Sequence, residues 1–198
     1  MYKFIPSLCL IGLLLIPGLS PAQQAGTTYI FKAVGWTMTL PPDFKVVDSA
    51  KSADLKEAGR KIVGDANNIK LDVSSTRILI GAMKAPRNNF SAAITPFDPQ
   101  KDGPYSAVRR RVKEILYKTF VEKIPDGKID SSSTNIIIDG LAFDKFQVVG
   151  TLKGKTLFHM VLLAKDYKGY DFGISYLYMD DTTRDQIETI LSTCKFSK

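Results

Sequence analysis

The residue types that most often perform catalysis are scarce in this sequence. It contains one histidine, His159, and two cysteines, Cys9 and Cys194. A cysteine nucleophile acts as the thiolate, which a nearby cation or a helix N-terminus stabilises. Cys194 falls at the C-terminal end of a predicted helix, where the helix dipole opposes an anion. We therefore predict that Cys194 is a small core residue and that His159 is a strand residue with its hydrogen bonds satisfied, and we assign no catalytic residue.

A glycine-containing segment, residues 150–156, ends like a phosphate-binding loop. The spacing between Gly150 and Gly154 is one residue short of that motif. A phosphate-binding loop must also lead from a strand into a helix whose N-terminal amides meet the phosphate, whereas this segment joins two predicted strands. We predict a plain hairpin turn here, and we assign no cofactor-binding residue and no cofactor.

Metal ligands are equally scarce. One histidine and one cysteine in the body of the chain cannot build a transition-metal site. The acidic segment 180–185 offers carboxylates, but it lacks the glycine and the closing glutamate of a calcium loop, so we predict that it caps a helix and assign no metal ligand. Carboxylate pairs for hydrolysis form in space rather than in sequence. A hydrolase whose acidic residues converge in a cleft therefore stays as the alternative function.

The clearest candidate for binding is a run of cations within residues 109–113. The chain has 198 residues, with 27 Lys and Arg against 20 Asp and Glu, which gives a formal net charge of +7. On the predicted helix, Arg110, Arg111 and Lys118 point away from the apolar stripe, and Glu114 lies one turn from both Arg110 and Lys118. This pattern is typical of a solvated, internally paired face, or of a surface that attracts an acidic partner.

Two kinds of partner fit such a surface: an acidic envelope component, such as anionic lipid headgroups or an acidic polymer, or another protein. We predict no nucleic-acid partner, because the cations are not interleaved with exposed aromatic residues as a stacking platform requires.

The N-terminal segment predicts export. Lys3 precedes an apolar run from Phe4 through Leu19, and Ser20-Pro21-Ala22 supplies small residues at the cleavage site. The run is shorter than a membrane span requires, and no later run reaches that length, so we predict no transmembrane segment in the mature chain. We expect a signal peptide over residues 1–22, a single α+β domain over residues 23–198, and a periplasmic or secreted location.

The elements that must position these residues follow from turn chemistry and periodicity. Strands are predicted at 29–31 and 36–40, and a hairpin is predicted from 77–83 and 90–94. A short helix capped by Asp54 would use Leu55, Ala58 and Ile62 as its inner face.

A longer helix opens at Pro104, a favoured first-turn residue, and runs to about residue 123. Its apolar stripe spans about 140° of the helical wheel. The stripe comprises Tyr105, Val108, Val112, Ile115, Leu116 and Phe120.

The C-terminal third predicts a β-meander over residues 135–178. Asp139-Gly140 and Lys153-Gly154 are hairpin turn signals, and residues 167–169 form the third turn. A final helix begins near Asp180. Its inner face would carry Ile187, Ile190, Leu191 and Cys194.

The chain resembles the PsbP-like α/β/α sandwich in four segments. They are residues 35–44 (GWTMTLPPDF), the amphipathic helix, residues 138–143 (IDGLAF) and residues 190–196 (ILSTCKF). The resemblance covers residues 28 to 197 and rests on element order and spacing. It implies an antiparallel sheet of about six to seven strands covered by helices, and a non-catalytic adaptor fold. No functional residue carries over. We therefore expect an exported, non-enzymatic binding or accessory domain.

Overall fold

The computed structural model describes residues 26–197, so the predicted signal peptide, residues 1–22, lies outside the described residues. The elements follow in the order β1 (Thr27–Phe31), β2 (Trp36–Leu40), β3 (Lys45–Val46), α1 (Ser49–Asn67), β4 (Arg77–Ala85), β5 (Asn88–Pro96), α2 (Pro99–Asp102), α3 (Tyr105–Lys123), β6 (Lys128–Ile138), β7 (Leu141–Leu152), β8 (Lys155–Tyr167), β9 (Tyr170–Tyr178), α4 (Asp181–Thr193) and β10 (Lys195–Phe196).

Seven of the strands form one antiparallel sheet in the order β3-β4-β5-β9-β8-β7-β6. The predicted antiparallel α+β architecture is thereby confirmed. Strands β1 and β2 do not join this sheet; they pair with each other and with β10 in a separate three-stranded sheet.

Turn chemistry sets the register of the meander β6–β9. Asp139, Lys153 and Lys168 each adopt positive φ, and each is followed by a glycine that also has positive φ. Two successive residues of this kind form the tight turn whose twist matches the flanking strands. Residues 150–156 are accordingly the end of β7, this turn and the start of β8, which confirms the predicted hairpin.

The larger hydrophobic core lies between the seven-stranded sheet and a layer formed by the small sheet and α4. Trp36 is fully buried and packs edge-on against Phe172 of β9, with 5.2 Å between ring centroids. From the other side α4 contributes Ile187 and Ile190, also fully buried, and Cys194 follows the helix. The predicted inner face of the final helix is confirmed.

Helices α1 and α3 cover the opposite face of the sheet. The aromatic ring of Phe120 on α3 packs on Phe158, with 5.0 Å between ring centroids, within a second core cluster around Phe146 and Val148. The start and end of α3 agree with the predicted helix. No helix within residues 26–197 combines the length and the apolar character that crossing a membrane requires.

The prediction for α1 was wrong in its cap and in its inner face. Asp48, not Asp54, accepts the capping hydrogen bond, from the backbone N–H of Lys51 at 2.8 Å. Leu55, Ala58 and Ile62 are exposed. The helix packs instead on α3.

The contact between α1 and α3 includes hydrogen bonds from a single asparagine. Asn67 Nδ2 donates to the carbonyl of Ile115 at 3.3 Å and to Thr119 Oγ1 at 2.8 Å. The sheet below α1 presents small residues, including Gly81, Ser91 and Ala93, along a groove of about 380 Å³. These small residues leave the groove unfilled, and Leu55 of α1, which borders it, stays 49% exposed.

Candidate functional site

The three cations predicted to form a partner surface are all exposed on α3. Arg110, Arg111 and Lys118 lie on the side of the helix that faces away from the sheet. Within residues 26–197 none of the three lies within 4.0 Å of a carboxylate, so Glu114 does not pair with them. Their charges are therefore directed at solvent.

Two apolar side chains share this side of α3. Tyr117 is 41% exposed and Val121 is 44% exposed. At 100° per residue both lie within 20° of Arg110 on the helical wheel. We call the surface formed by Arg110, Arg111, Tyr117, Lys118 and Val121 the outer face of α3.

Arg109, in contrast, is buried, with 5% of its surface exposed. The prediction for residues 109–113 treats Arg109 only as part of a run of cations and does not foresee its burial. The signal was present, because the helical wheel places Arg109 inside the apolar stripe, between Leu116 and Phe120. A cation in the middle of an apolar stripe must find polar partners on the element that the stripe packs against.

Those partners come from β7 and β9. Arg109 Nε donates to Asp144 Oδ2 at 3.4 Å, and Nη1 lies 3.7 Å from Asp171 Oδ2. Lys113 Nζ donates to Asp144 Oδ1 at 2.6 Å. Arg109 and Lys113 on α3 thus pair with two carboxylates on β7 and β9, the strands on either side of β8. All four side chains are a quarter exposed or less.

Tyr105 completes the cluster at the start of α3. Its hydroxyl donates to Asp171 Oδ1 at 2.7 Å. Burial raises the pKa of the Tyr105 hydroxyl, and the adjacent Asp171 carboxylate raises it further. The phenol therefore stays protonated and remains a hydrogen-bond donor at neutral pH.

One donor in this cluster lacks an acceptor among the described residues. Arg109 Nη2 is buried and has no hydrogen-bond partner within residues 26–197. A buried donor without an acceptor costs about 1–3 kcal/mol, more when it is charged, so native proteins contain few of them.

A cleft of about 500 Å³ opens beside the cluster, between α3 and strands β6 and β7. Its cations are Arg109, Arg110 and Lys113. Its hydroxyl groups come from Ser106 and Ser133 at the exposed rim, in addition to Tyr105. The cleft is therefore rich in hydrogen-bond donors.

Two acids, Glu114 and Asp144, also line the cleft, and the hydrolase alternative requires such a convergence. Acid–base catalysis of glycoside hydrolysis needs carboxyl groups that are free to meet the substrate. Asp144 is already bonded to both Lys113 and Arg109. The groups that the cleft offers to a ligand are therefore mainly hydrogen-bond donors, and not the pair of free carboxylates that the hydrolase alternative requires.

Cys194 and His159 have different neighbours and different environments. Burial raises the pKa of the Cys194 thiol to about 11, and Sγ lies 3.5 Å from the carbonyl of Ile190. His159 stacks on Tyr178, with 4.7 Å between ring centroids. Cys194 is confirmed as a core residue. His159 lies in β8 as predicted, but the prediction that its hydrogen bonds are satisfied was wrong, because Nδ1 is buried without a partner within residues 26–197.

The acids near the start of α4 serve as a cap and as ion-pair partners. Asp180 Oδ1 accepts from the backbone N–H of Thr183 at 2.7 Å, which confirms the predicted cap. Asp181 and Asp185 each pair with Arg184, both at 2.9 Å. Across the part of the chain that the structure describes, no three His, Cys, Asp or Glu side chains are grouped so that they could hold a metal ion.

Comparisons with known proteins find similarity in structure but not in sequence. No protein-family model matches the chain, and no curated protein matches it. Cyanobacterial PsbP from Synechocystis sp. PCC 6803 superposes with a TM-score of 0.56 at 12% identity, covering 87% of this chain and 93% of that one.

Two further solved structures match with lower scores. A protein from Bacteroides thetaiotaomicron gives a TM-score of 0.48 at 11% identity, covering 88% of this chain and 49% of that one. LpqN, described as involved in cell envelope biogenesis of Mycobacterium tuberculosis, gives 0.39 at 13% identity, covering 87% and 86%. The similarity to cyanobacterial PsbP, together with the seven-stranded antiparallel sheet between two covering layers, shows that this chain has the PsbP-like fold.

Proposed function

We propose that this protein is an exported, non-enzymatic binding domain that attaches to an anionic membrane surface through the outer face of α3. One observation carries the proposal. Arg110, Arg111 and Lys118 are exposed beyond ion-pair distance of any carboxylate within residues 26–197, and they lie beside the exposed apolar residues Tyr117 and Val121.

Electrostatic attraction supports this partner. A basic residue near an anionic leaflet contributes about 1 kcal/mol, so three cations supply on the order of 3 kcal/mol. Glu114 and Glu122 lie on the same helix and reduce this attraction. The resulting binding is moderate, reversible and sensitive to salt, because exposed charges are screened over about 8 Å at physiological ionic strength.

The apolar residues distinguish a membrane from a dissolved acidic polymer. A tyrosine has an apolar ring and a polar hydroxyl, which suits the boundary between lipid headgroups and acyl chains. A polyanion in water would contact the cations of this face but would gain no binding energy from the exposed apolar side chains of Tyr117 and Val121. The PsbP-like fold is compatible with this role, although a fold by itself does not specify a function.

Sedimentation with vesicles tests the proposal. We expect the protein to sediment with vesicles that contain phosphatidylglycerol and to stay in solution with pure phosphatidylcholine. Changing Arg110, Arg111 and Lys118 together to glutamine should abolish sedimentation. Changing Tyr117 and Val121 to serine should weaken binding to vesicles but leave binding to a soluble polyanion such as heparin unchanged.

A matched control removes the same number of charges elsewhere. Lys45, Lys153 and Lys155 are exposed cations outside α3. Changing these three to glutamine should leave vesicle binding almost intact. If this control loses binding as fully as the α3 variant, or if the α3 variant still binds, the outer face of α3 is not the docking surface.

Export is tested separately, on material from the native host. The proposal rests on Lys3, the apolar run that follows it and the small residues before Gln23. N-terminal sequencing of the mature protein should read Gln23-Gln24-Ala25. Recovery of a cytosolic protein that retains Met1 would contradict export.

A further inference from the structure

We infer that the cleft between α3 and strands β6 and β7 is a binding site for a phosphate group, with Arg109 as its buried anchor. The inference rests on the proposed function for where the phosphate comes from, namely a lipid headgroup, while the cleft itself is argued from its own geometry. Free phosphate shares the same chemistry, and the experiment below separates the two sources.

The side-chain donors of Arg109 are incompletely bonded. A guanidinium carries five N–H groups in a rigid fork. Among the residues that the structure describes, only Nε lies within hydrogen-bond distance of an acceptor, Asp144 Oδ2, while Nη1 is 3.7 Å from Asp171 and Nη2 has no partner. Asp144 and Asp171 therefore position the guanidinium without using up its donors.

Further hydrogen-bond donors surround the same cleft. Arg109, Arg110 and Lys113 supply positive charge from α3. Ser106 on α3 and Ser133 on β6 supply hydroxyl groups from two sides. A phosphate has several acceptor oxygens in a tetrahedral arrangement, so it can accept from donors on more than one wall, and arginine is the side chain best matched to it.

The local charge around the cleft also favours an anion. Three cations line the cleft against two acids, Glu114 and Asp144, and α3 as a whole carries six cations against two glutamates. Within the cluster, Asp144 and Asp171 balance the charges of Lys113 and Arg109, so the net positive potential comes from the other cations of α3. The surrounding potential therefore attracts an anion to a site where one buried cation retains unused donors.

Calorimetric titration of the purified protein with inorganic phosphate and with sn-glycerol 3-phosphate, at constant ionic strength, tests the site. We expect saturable binding that Arg109→Lys weakens about tenfold or more, because lysine keeps the charge and loses the fork. Ser133→Ala should weaken binding by a smaller factor. Lys123→Gln removes an exposed cation from the same helix, outside both the cleft and the outer face of α3, and should change the affinity by less than about twofold.

Two results would overturn the inference: no saturable binding of either phosphate to the parent protein, or an equal loss of affinity in Arg109→Lys and Lys123→Gln. If Arg109→Lys does not fold, Ser106→Ala and Ser133→Ala decide the matter, since both serines are exposed. Unchanged phosphate affinity in both serine variants would then refute the site.

The source of the phosphate follows from competition. If sn-glycerol 3-phosphate releases the protein from vesicles and inorganic phosphate does not, the ligand of the cleft is a lipid headgroup. If the protein binds phosphate saturably but does not bind vesicles, the phosphate site stands and the membrane proposal is refuted. If it binds vesicles but not phosphate, the membrane proposal stands and the phosphate site is refuted.

Discussion

Asp139 accepts a hydrogen bond from the backbone N–H of Phe196, with 2.8 Å between Oδ2 and the amide nitrogen. Asp139 is at the tip of the β6–β7 hairpin, and Phe196 is in β10, 57 residues further along the chain. The other carboxylate oxygen accepts from Lys195 Nζ at 3.0 Å. One turn residue therefore links the seven-stranded sheet to the small sheet through a single carboxylate.

This link predicts a pH-dependent docking of β10. The hydrogen bond from Phe196, and secondarily that from Lys195, lower the pKa of Asp139 below its ordinary value of 3.8. A lowered pKa in the folded state means that the stabilisation is present above the ordinary value and is lost as the pH falls through the lowered one. In an NMR titration, the Phe196 amide proton should shift with a midpoint below 3.8.

Asp139→Asn is the matched control for this titration. Asparagine tolerates the positive φ of this turn position and can still accept a hydrogen bond, but it does not ionise. The Phe196 shift should then be independent of pH in this range. A Phe196 titration that persists in the variant would assign the effect to another group.

Cys194 should be unreactive in the native protein. Its side chain is almost fully buried, and burial raises the pKa of the thiol to about 11, so the reactive thiolate is scarce at neutral pH. We expect Ellman's reagent to label Cys194 only after unfolding in urea. Cys194→Ala should lower the free energy of unfolding by about 1 kcal/mol through a small cavity. Rapid labelling of the native protein would contradict the core assignment.

Two glycines should respond in opposite directions to alanine. Gly59 is inside α1 with open space around it, so Gly59→Ala should stabilise the protein by about 0.5–1 kcal/mol. A Cβ at Gly150 would lie 2.7 Å from Cζ of Phe158, whose ring is held against Phe120. Gly150→Ala should therefore cost about 1–3 kcal/mol, measured by urea unfolding. A neutral Gly150→Ala would show that the ring can move aside.

Tyr105→Phe tests how firmly the charge cluster holds α3. The variant removes the hydroxyl that donates to Asp171 at 2.7 Å, and we expect the free energy of unfolding to fall by about 1–2 kcal/mol. Tyr117→Phe is the control, because Tyr117 is exposed on the same helix. Equal effects of the two substitutions would mean that the hydrogen bond to Asp171 contributes nothing measurable.

Much of the architecture was predictable because it depends on short-range chemistry. The hairpin turns at Asp139-Gly140 and Lys153-Gly154 depend on two residues each, which must adopt positive φ. The extent of α3 follows from Pro104 and the apolar repeat, and the buried side of α4 follows from the spacing of Ile187 and Ile190. Such signals act over a few residues, so they can be read in the order of the sequence.

The inner face of α1 could not be predicted in this way. A helix with a weak apolar pattern takes its orientation from whatever surface is available, and the sheet beneath α1 offers small residues such as Gly81 and Ala93. The partner of Asn67 on α3 lies 52 residues away, at Thr119. No local pattern encodes that separation.

The sequence by itself determined that Arg109 belongs to a helix, that this helix is basic, and that an apolar stripe turns it toward a sheet. Only the tertiary structure decided that Asp144 and Asp171, 35 and 62 residues further along, meet it there. The physical reason is that periodicity specifies which side of a helix is buried, whereas the partners of a buried charge depend on strand order and register across the whole sheet. Burial distinguishes Arg109 from Arg110 and Arg111, although the three are adjacent in the chain.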